Sequence, residues 1–321
     1  MPDMLSNRQS ITRRVRSLVQ AAAFVTAVFS LATFADGAHR YLELFSHFRQ
    51  QYLLAAALLA IAMFVLRSPR WAAGMLVLTL VNAYPVVPWY VSGDGPVASD
   101  EPRFKLLSSN IYAGNEHSQA LFDLIATEQA DIVLLQEVTS RRNEELARLH
   151  ETYPYSLNIP RDDNFGIAVM SRRPFENARV IESPPMKYPT LVVEVAIFGK
   201  PVTLVTTHPQ PPLDDRGYDA RNIQLLSIAE TIASIPGPRI LAGDLNTAMW
   251  GRNYRRLIEV SGLTDARKGF GVLPSWPTQL PFAMIPIDHC LVSEDVMVRD
   301  VRTGPNIGSD HLPLIVELSL P

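Results

Sequence analysis

The stretch that decides the fold is Asp131–Glu137, which reads DIVLLQE. Its four consecutive apolar residues between polar ends predict a short strand that is buried on both faces of a sheet. Glu137 follows at the point where this strand ends and a loop begins. Because a rigid strand end holds a side chain in a fixed position, a charged residue there is a candidate for function.

Similar apolar runs, bounded by turn residues, recur throughout the chain after residue 103. They predict strands over 104–109, 166–171, 191–197, 201–206, 239–242, 287–292 and 312–318. Apolar residues at helical spacing predict helices over 119–129, 144–150, 220–235 and 254–261. Many strands with only a few interspersed helices predict an α/β sandwich of two sheets with outer helices.

Five other strand ends also carry polar side chains of the types that metal and acid–base chemistry use. These residues are Asn110, His208, Asp244 with Asn246, Asp288 with His289, and Asp310 with His311. Amide and carboxylate oxygens suit a hard divalent cation, and histidines suit proton transfer. The set contains no serine or cysteine nucleophile, and the one cysteine of the chain, Cys290, excludes a disulfide within the chain and a cysteine-cluster metal site. Singly, each residue could be a turn, cap or rim residue, so the hypothesis depends on their joint order.

Eight segments, taken in chain order, resemble the endonuclease/exonuclease/phosphatase superfamily, which includes deoxyribonuclease-I-like nucleases, sphingomyelinases and inositol phosphatases. The segments are LLSSNIY around Asn110, DIVLLQEV around Glu137, GIAVMSRRP at 166–174, LVTTHPQPP around His208, RNIQLL at 221–226, ILAGDLN at 240–246, IDHCLV at 287–292 and GSDHLPLIVEL at 308–318. The resemblance implies a four-layer sandwich, two packed sheets flanked by helices, over residues 104–321. It implies a metal-dependent phosphoric ester hydrolase.

The resemblance also implies a Mg²⁺ or Mn²⁺ cofactor. Glu137 is then its principal carboxylate ligand, with Asn110 beside it, and Asp310 is a second carboxylate that faces the metal or orients the substrate. One carboxylate ligand from the protein is enough to bind Mg²⁺, because the ion keeps several waters and also binds substrate phosphate oxygens.

The remaining roles implied by the resemblance concern in-line attack of water on phosphorus. Asp244 orients or deprotonates the water, and Asn246 positions the water or the phosphate. His208 and His311 face the phosphate, where they stabilise charge or protonate the leaving oxygen. Asp288 holds His311.

Three further residues are predicted, on the same resemblance, to contact the substrate. Arg161 and Asn164 precede a matching strand, and Arg221 lies on a matching helix, where a solvated helix position is an equal alternative. His289 follows Asp288 along a strand and should therefore point to the opposite face, so we interpret it as structural.

The first hundred residues have a different composition. They hold 8 Lys+Arg and 5 Asp+Glu, a net charge of +3, which leaves 21 basic and 27 acidic residues, a net of −6, for the rest. Uncharged apolar runs cover 18–35, 52–66 and 71–90. We predict a membrane anchor over 18–90 with helices at about 18–35, 50–66 and 71–90, since a membrane-spanning helix needs about 20 apolar residues. Buried soluble helices, or a cleaved signal peptide in the first run, are the alternatives.

Arginines predict the orientation of this anchor. Four precede the first run and two lie between the second and third, whereas the intervening loop has two that acidic residues balance. Because Lys and Arg favour the cytoplasmic side, we place 1–17 inside and everything after residue 90 outside. Residues 91–103 read as a polar linker. The prediction is a multi-pass protein, as in a bacterial inner membrane, and the front resembles a membrane-anchored bacterial subset of the superfamily.

The substrate is the least determined feature. The net charge of −6 and the absence of long basic runs are modest evidence against a nonspecific nuclease, which needs clustered Lys and Arg for phosphate contacts. We nevertheless expect a phosphoester substrate with nucleic acid ahead of phospholipid, a membrane partner through the anchor, and no obligate protein partner. A catalytically inactive tethered binding domain and a different, dinuclear metallophosphatase fold are the alternatives.

Overall fold

The computed structural model describes residues 2–91 and 101–321, with side chains from residue 10 onward. The chain divides into two compact units, residues 1–90 and 91–321. Most of the predicted linker, residues 92–100, lies outside the described residues.

The first unit is helical. Its helices are α1 (Pro2–Ala32), α2 (Arg40–Ser46), α3 (Arg49–Val65) and α4 (Pro69–Val86), with 3-10 turns at Thr33–Ala35 and Val87–Trp89. Small and apolar side chains of three helices, Ala23, Ala56, Met75 and Leu78, form its buried cluster. Other apolar side chains of α3 and α4, such as Phe64 and Leu80, point outward and are exposed.

Two segments of this unit are long and apolar enough to cross a bilayer. They are Ser10–Ala35 and Pro69–Trp89, with mean hydropathies of 1.9 and 1.4. Helices α2 and α3 pass the same test only together and are bent by 63° at a short break. The described helices thus offer two spans, or three if the bent pair is one, which is roughly consistent with the three runs in the sequence. Because α1 begins at Pro2, most of the predicted segment 1–17 is helical.

The second unit contains two six-stranded sheets. The first sheet has the order β11-β12-β1-β2-β4-β3, with strands Met297–Thr303, Leu314–Ser319, Arg103–Asn110, Ile132–Gln136, Ile167–Ser171 and Tyr155–Ile159. The second has the order β5-β6-β7-β8-β10-β9, with strands Phe175–Ser183, Tyr188–Ile197, Lys200–Thr207, Arg239–Asp244, Asp288–Val292 and Thr264–Asp265. The described part of this unit also has four α-helices, α5 (Gln119–Glu128), α6 (Ser140–Leu146), α7 (Asp215–Ala233) and α8 (Arg252–Ser261), and 3-10 turns at Ala147–Leu149 and Pro281–Ala283.

Strand β2 shows why its sequence is apolar on both sides. Ile132 and Leu134 pack into the cluster between the two sheets, whereas Val133 and Leu135 pack outward into a cluster with α5. Helix, sheet, sheet and helix therefore form the layers, and the predicted fold class is confirmed.

The register brings the polar strand ends together. In the first sheet β1 and β2 are parallel, and Asn110 pairs with Gln136 next to Glu137. In the second sheet β8 and β10 are antiparallel, and Asp244 pairs with Asp288. Because directly opposed residues of such a pair point to the same face, both carboxylates lie on one side of the sheet.

Two predicted helices differ from the observed ones. The helix expected at 144–150 is α6, which begins earlier because the Thr139 hydroxyl accepts a hydrogen bond from the Arg142 amide. Helix α7 begins at Asp215 rather than 220, since the Asp214 carboxylate caps it through the Gly217 amide at 2.6 Å. Strands β3, β5, β9 and β11, which are edge strands, have no counterpart in the sequence prediction.

Candidate active site

The ends of β1 and β2 place Asn110 beside Glu137. Asn110 is fully buried, and its Nδ2 donates to Glu137 Oε1 at 3.0 Å and to Asp244 Oδ2 at 3.1 Å. The other oxygen of Glu137 accepts from the Ala113 amide at 2.8 Å. Glu137 itself has a positive φ of 62° and is only half-buried, so its carboxylate reaches the surface of the cluster.

Asp244 is the centre of this cluster. Its Oδ2 lies 3.3 Å from His208 Nε2 and 3.7 Å from His311 Nε2, and its Oδ1 accepts from the Asn246 amide at 2.9 Å. Because Asn246 has a positive φ of 51°, the chain turns sharply after β8 and the amide points back at the carboxylate. The result is a buried carboxylate whose two oxygens face different partners.

The two histidines are held from behind by different groups. His311 Nδ1 lies 2.8 Å from Asp288 Oδ2, and His208 Nδ1 lies 3.1 Å from the carbonyl oxygen of Asn164. Each imidazole therefore turns its Nε2 toward Asp244. A hydrogen bond at one ring nitrogen fixes the orientation of a histidine and so determines what its other nitrogen can contact.

The electrostatics of the cluster follow from these contacts. Burial disfavours the charged imidazolium of His311, but the charges of Asp288 and Asp244 outweigh it and raise the pKa of His311 to about 10. Burial likewise opposes and the Asp244 carboxylate favours a charged His208, whose pKa is raised above its usual value. For Asp244, burial is outweighed by His311 and His208, which lower its pKa to about 2. The cluster therefore holds opposite charges in contact at neutral pH.

The structure brings together Asn110, Glu137, His208, Asp244, Asn246, Asp288 and His311, all predicted from the sequence. Their catalytic roles remain predictions. Asp310 is adjacent rather than central: its Oδ2 accepts from the Trp276 indole at 3.0 Å. Its Oδ1 is buried and has no hydrogen-bond partner among the described residues.

The three residues predicted to contact substrate occupy less direct positions. Arg161 is paired with Asp163, at 2.9 Å from Nε to Oδ1. Asn164 has an exposed side chain and enters the cluster through its carbonyl oxygen only. Arg221 is fully buried, and its Nη1 donates to the Asn246 carbonyl at 2.8 Å. It thus supports the turn after β8 from below and has no exposed surface to offer a substrate.

Two supporting residues were not singled out from the sequence. The buried Ser309 hydroxyl donates to the Asn110 carbonyl at 2.8 Å and accepts from the His311 amide at 3.0 Å, so it joins two strand ends. The Trp276 ring lies 6.3 Å from the His311 ring and anchors Asp310. Ser309 belongs to the quoted segment GSDHLP, whereas Trp276 lies in a loop whose sequence carries no such signal.

A metal ion could be held in this cluster. One set of ligand atoms from Asp244, Asp288 and His311 lies within 4.8 Å of one another. These three residues already satisfy each other, because both ring nitrogens of His311 face a carboxylate. Glu137 is half-buried, and Oδ1 of Asp310 has no hydrogen-bond partner among the described residues, so each keeps an oxygen of the kind that a hard cation binds.

Comparison with known proteins extends these observations. Residues 107–311 match the model of the Endonuclease/Exonuclease/phosphatase family. No curated protein matches the chain significantly.

Solved structures share the fold of the second unit. Zebrafish (D. rerio) TDP2 complexed with single-strand DNA product is 18% identical, with 68% of this chain and 100% of that chain covered and a TM-score of 0.58. The human Nocturnin catalytic domain with bound sulfate anion is 20% identical, with 69% and 96% covered and a TM-score of 0.56. An endonuclease/exonuclease/phosphatase from Beutenbergia cavernae is 20% identical, with 68% and 72% covered and a TM-score of 0.55. At these identities the similarity supports the fold.

Proposed function

The chain belongs to the endonuclease/exonuclease/phosphatase family, and from this premise we propose that residues 104–321 form a divalent-metal-dependent phosphoesterase. It hydrolyses a phosphodiester, or a phosphomonoester, by in-line attack of an activated water. The observation that carries the proposal is the position of Asp244, a buried carboxylate between two imidazoles, with the Asn246 turn bound to its other oxygen. Each neighbour of Asp244 then has a distinct task.

Glu137 and Asn110 are the proposed holders of Mg²⁺ or Mn²⁺, with Asp310 as a second carboxylate near the substrate. Asn110 contributes a ligand only with its amide turned over, because Nδ2 faces Glu137 here and an amide nitrogen cannot bind a cation. The ion, when bound, would polarise the phosphoryl oxygens and neutralise developing charge. Oδ1 of Asp310 is buried and has no hydrogen-bond partner among the described residues, which supports a cation or a substrate group bound next to Asp310.

The protein's own residues carry the proton chemistry. Asp244 accepts a hydrogen bond from the attacking water and draws off its proton, and Asn246 fixes the direction of approach. In this proposal His311, which Asp288 holds through Nδ1, and His208 donate their Nε2 protons to phosphoryl or leaving-group oxygens. Arg161 and Asn164 are candidates for contacts to the rest of the substrate, and the buried Arg221 supports the site through the Asn246 carbonyl.

Nucleic acid is the favoured substrate, supported by the fold shared with a protein whose structure holds a single-strand DNA product. One observation favours a phospholipid instead. In the loop that follows Trp276, Leu280 and Phe282 are 49% and 78% exposed, as expected of side chains that enter a lipid surface. A catalytically inactive binding domain would keep the cluster without turnover.

The deciding experiment uses the full-length protein in detergent with Mg²⁺, Mn²⁺ or EDTA. Single- and double-stranded DNA, RNA, sphingomyelin, phosphoinositides and nucleotides are each supplied, and D244N serves as the matched control. We expect metal-dependent hydrolysis of DNA or RNA that D244N lacks. Hydrolysis of lipid alone would select the phospholipid alternative, and no turnover of any substrate would support the inactive binding domain.

We further propose that residues 18–90 anchor the enzyme in a membrane with residues 104–321 on the extracytoplasmic side. The only cysteine of the chain, Cys290, is buried, which gives a low background for thiol labelling. An impermeant maleimide should label A38C and E151C in intact cells, but S10C only after permeabilisation. All three positions are exposed. The reverse pattern would contradict the orientation.

A further inference from the structure

A second group of ionisable side chains lies on the reverse face of β10. Its members, Tyr254, Asp265, Arg267 and His289, are all buried, and Arg267 and His289 have no exposed surface. The Tyr254 hydroxyl donates to Asp265 Oδ2, and His289 Nδ1 lies 3.2 Å from the same oxygen and 2.9 Å from Arg267 Nη1. Arg267 Nε is buried and has no hydrogen-bond partner among the described residues, whereas its two terminal nitrogens are both engaged. Burying charged groups is costly even when they are paired, so this network calls for an account of its role. We call this group the brace.

The brace contacts the candidate active site at two backbone carbonyls. His289 Nε2 lies 2.8 Å from the carbonyl oxygen of Thr247, and Thr247 directly follows Asn246. Since a carbonyl oxygen can only accept, Nε2 carries the proton and donates it. Arg267 Nη2 donates to the carbonyl oxygen of Asp288 itself. One link therefore holds the turn that carries Asp244 and Asn246, and the other holds the residue that orients His311.

These two links reach the groups whose relative position matters most. Asp244 Oδ2 and His311 Nε2 are 3.7 Å apart, although Asp244 ends β8 and His311 lies in the loop before β12 (Leu314–Ser319). Misplacement of reacting groups by about 1 Å can cost 100-fold in rate. A rigid, fully buried support beneath both elements prevents such displacement.

We propose that His289 and Arg267 are positioning residues, which hold the Asp244–Asn246 turn and Asp288 in reacting register through the Thr247 and Asp288 carbonyls. This inference rests on the proposed function for its effect on turnover, but not for its effect on geometry. Neither residue touches the substrate. Tyr254 belongs to the same network yet contacts neither carbonyl, so it provides a matched control.

The test compares four variants of the full-length protein in detergent. H289L removes the donor to Thr247, H289Q restores an amide donor there, R267K keeps the charge but loses the planar pair of donors, and Y254F removes only the hydroxyl on Asp265. With Mg²⁺ and bis-p-nitrophenyl phosphate, we expect kcat to fall about 10- to 100-fold in H289L and R267K while KM stays within about twofold. H289Q should recover most of the loss. Y254F should keep the wild-type kcat despite a lower Tm.

A second readout does not depend on turnover. In protein labelled with [15N]histidine, the His311 ring signal is identified by its loss in H311Q. We expect R267K and H289L to shift this signal and Y254F to leave it in place. The positioning role is overturned if R267K and H289L keep the wild-type kcat and the His311 signal. It is also overturned if Y254F loses as much kcat, for each degree by which its Tm falls, as R267K and H289L lose. If the wild-type protein hydrolyses no phosphoester, the proposed function fails, and the His311 signal alone decides the positioning role; an unshifted signal rejects it.

Discussion

The two faces of β10 (Asp288–Val292) carry buried clusters with similar chemistry and different accessibility. On one face Asp288 joins His311, Asp244 and His208, beside half-buried Glu137 and Asn246. On the other face His289 joins Asp265, Arg267 and Tyr254, all of which are buried. Both clusters place a carboxylate against an imidazole. Residue types alone therefore do not define a site, because a site also needs side chains that a ligand can reach. We call the face with Asp288 the open face and the face with His289 the closed face.

The largest expected effect is on the open face. D244N should lower kcat by about 10³-fold or more, because the amide can neither accept the water's proton nor pair with both imidazoles. The melting temperature should fall as well, because Asn leaves two buried imidazoles without their carboxylate, so kcat is compared at a temperature where D244N is still folded. Steady-state kinetics with circular dichroism as a folding check measures both. Near-wild-type turnover would remove Asp244 from the mechanism.

Glu137 tests whether the open face binds the metal. E137Q should raise the Mg²⁺ concentration needed for half-maximal activity by about 10- to 100-fold, because a neutral amide oxygen replaces the proposed principal ligand. Activity as a function of Mg²⁺ concentration measures the shift. The control is E145Q, which alters a carboxylate paired with Arg142 outside the cluster. Equal metal dependence of E137Q and the wild type would place the ion elsewhere.

The pH dependence of stability tests whether Asp265, on the closed face, is ionised. Burial opposes ionisation of Asp265, but His289 and Arg267 outweigh it and lower its pKa. A lowered folded-state pKa adds stability above the unfolded value of about 3.9, and this stability is lost as the pH falls through the folded value. D265N should therefore be less stable than the wild type at pH 7, by about 3 kcal/mol. The difference in Tm should shrink below about pH 4, and a difference that is constant from pH 7 to pH 3 would argue against an ionised Asp265.

The smallest expected effect is at the rim. R161Q should raise KM by about two- to fivefold and leave kcat unchanged, because Arg161 is 38% exposed in its side chain and already paired with Asp163. Kinetics at low and high salt measure it, with salt weakening substrate binding less in the variant. A loss in kcat rather than KM would move Arg161 from the rim into the reacting centre.

Much of the central sheet could be predicted because local pattern and tertiary burial agree there. Strands β2 (Ile132–Gln136) and β4 (Ile167–Ser171) are wholly buried, so their continuous apolar runs are visible in the sequence. The edge strand β5 (Phe175–Ser183) is mostly exposed and reads FENARVIES, with no clear alternation. It forms a strand because it pairs antiparallel with β6 (Tyr188–Ile197). Edge strands were therefore missed for a physical reason.

The candidate active site also has a part that the sequence predicts and a part that it does not. The types and order of Asn110, Glu137, His208, Asp244 and His311 are in the sequence, as is the interpretation of His289 as structural, because alternation along a strand separates it from Asp288. Arg221 shows the limit. Helical spacing is compatible with a solvated or a buried position, and only the packing of α7 (Asp215–Ala233) places its guanidinium beneath Asn246.

The sequence by itself determined a charge-poor, apolar front, a sandwich of buried strands, and a set of polar residues at strand ends in family order. These features are local, since each is written in a short segment by its periodicity and its end residues. Only the tertiary structure decided which carboxylate lies between the two imidazoles, and that Arg267 and His289 sit beneath the site. Those facts depend on contacts between residues more than 20 positions apart, which no local pattern encodes.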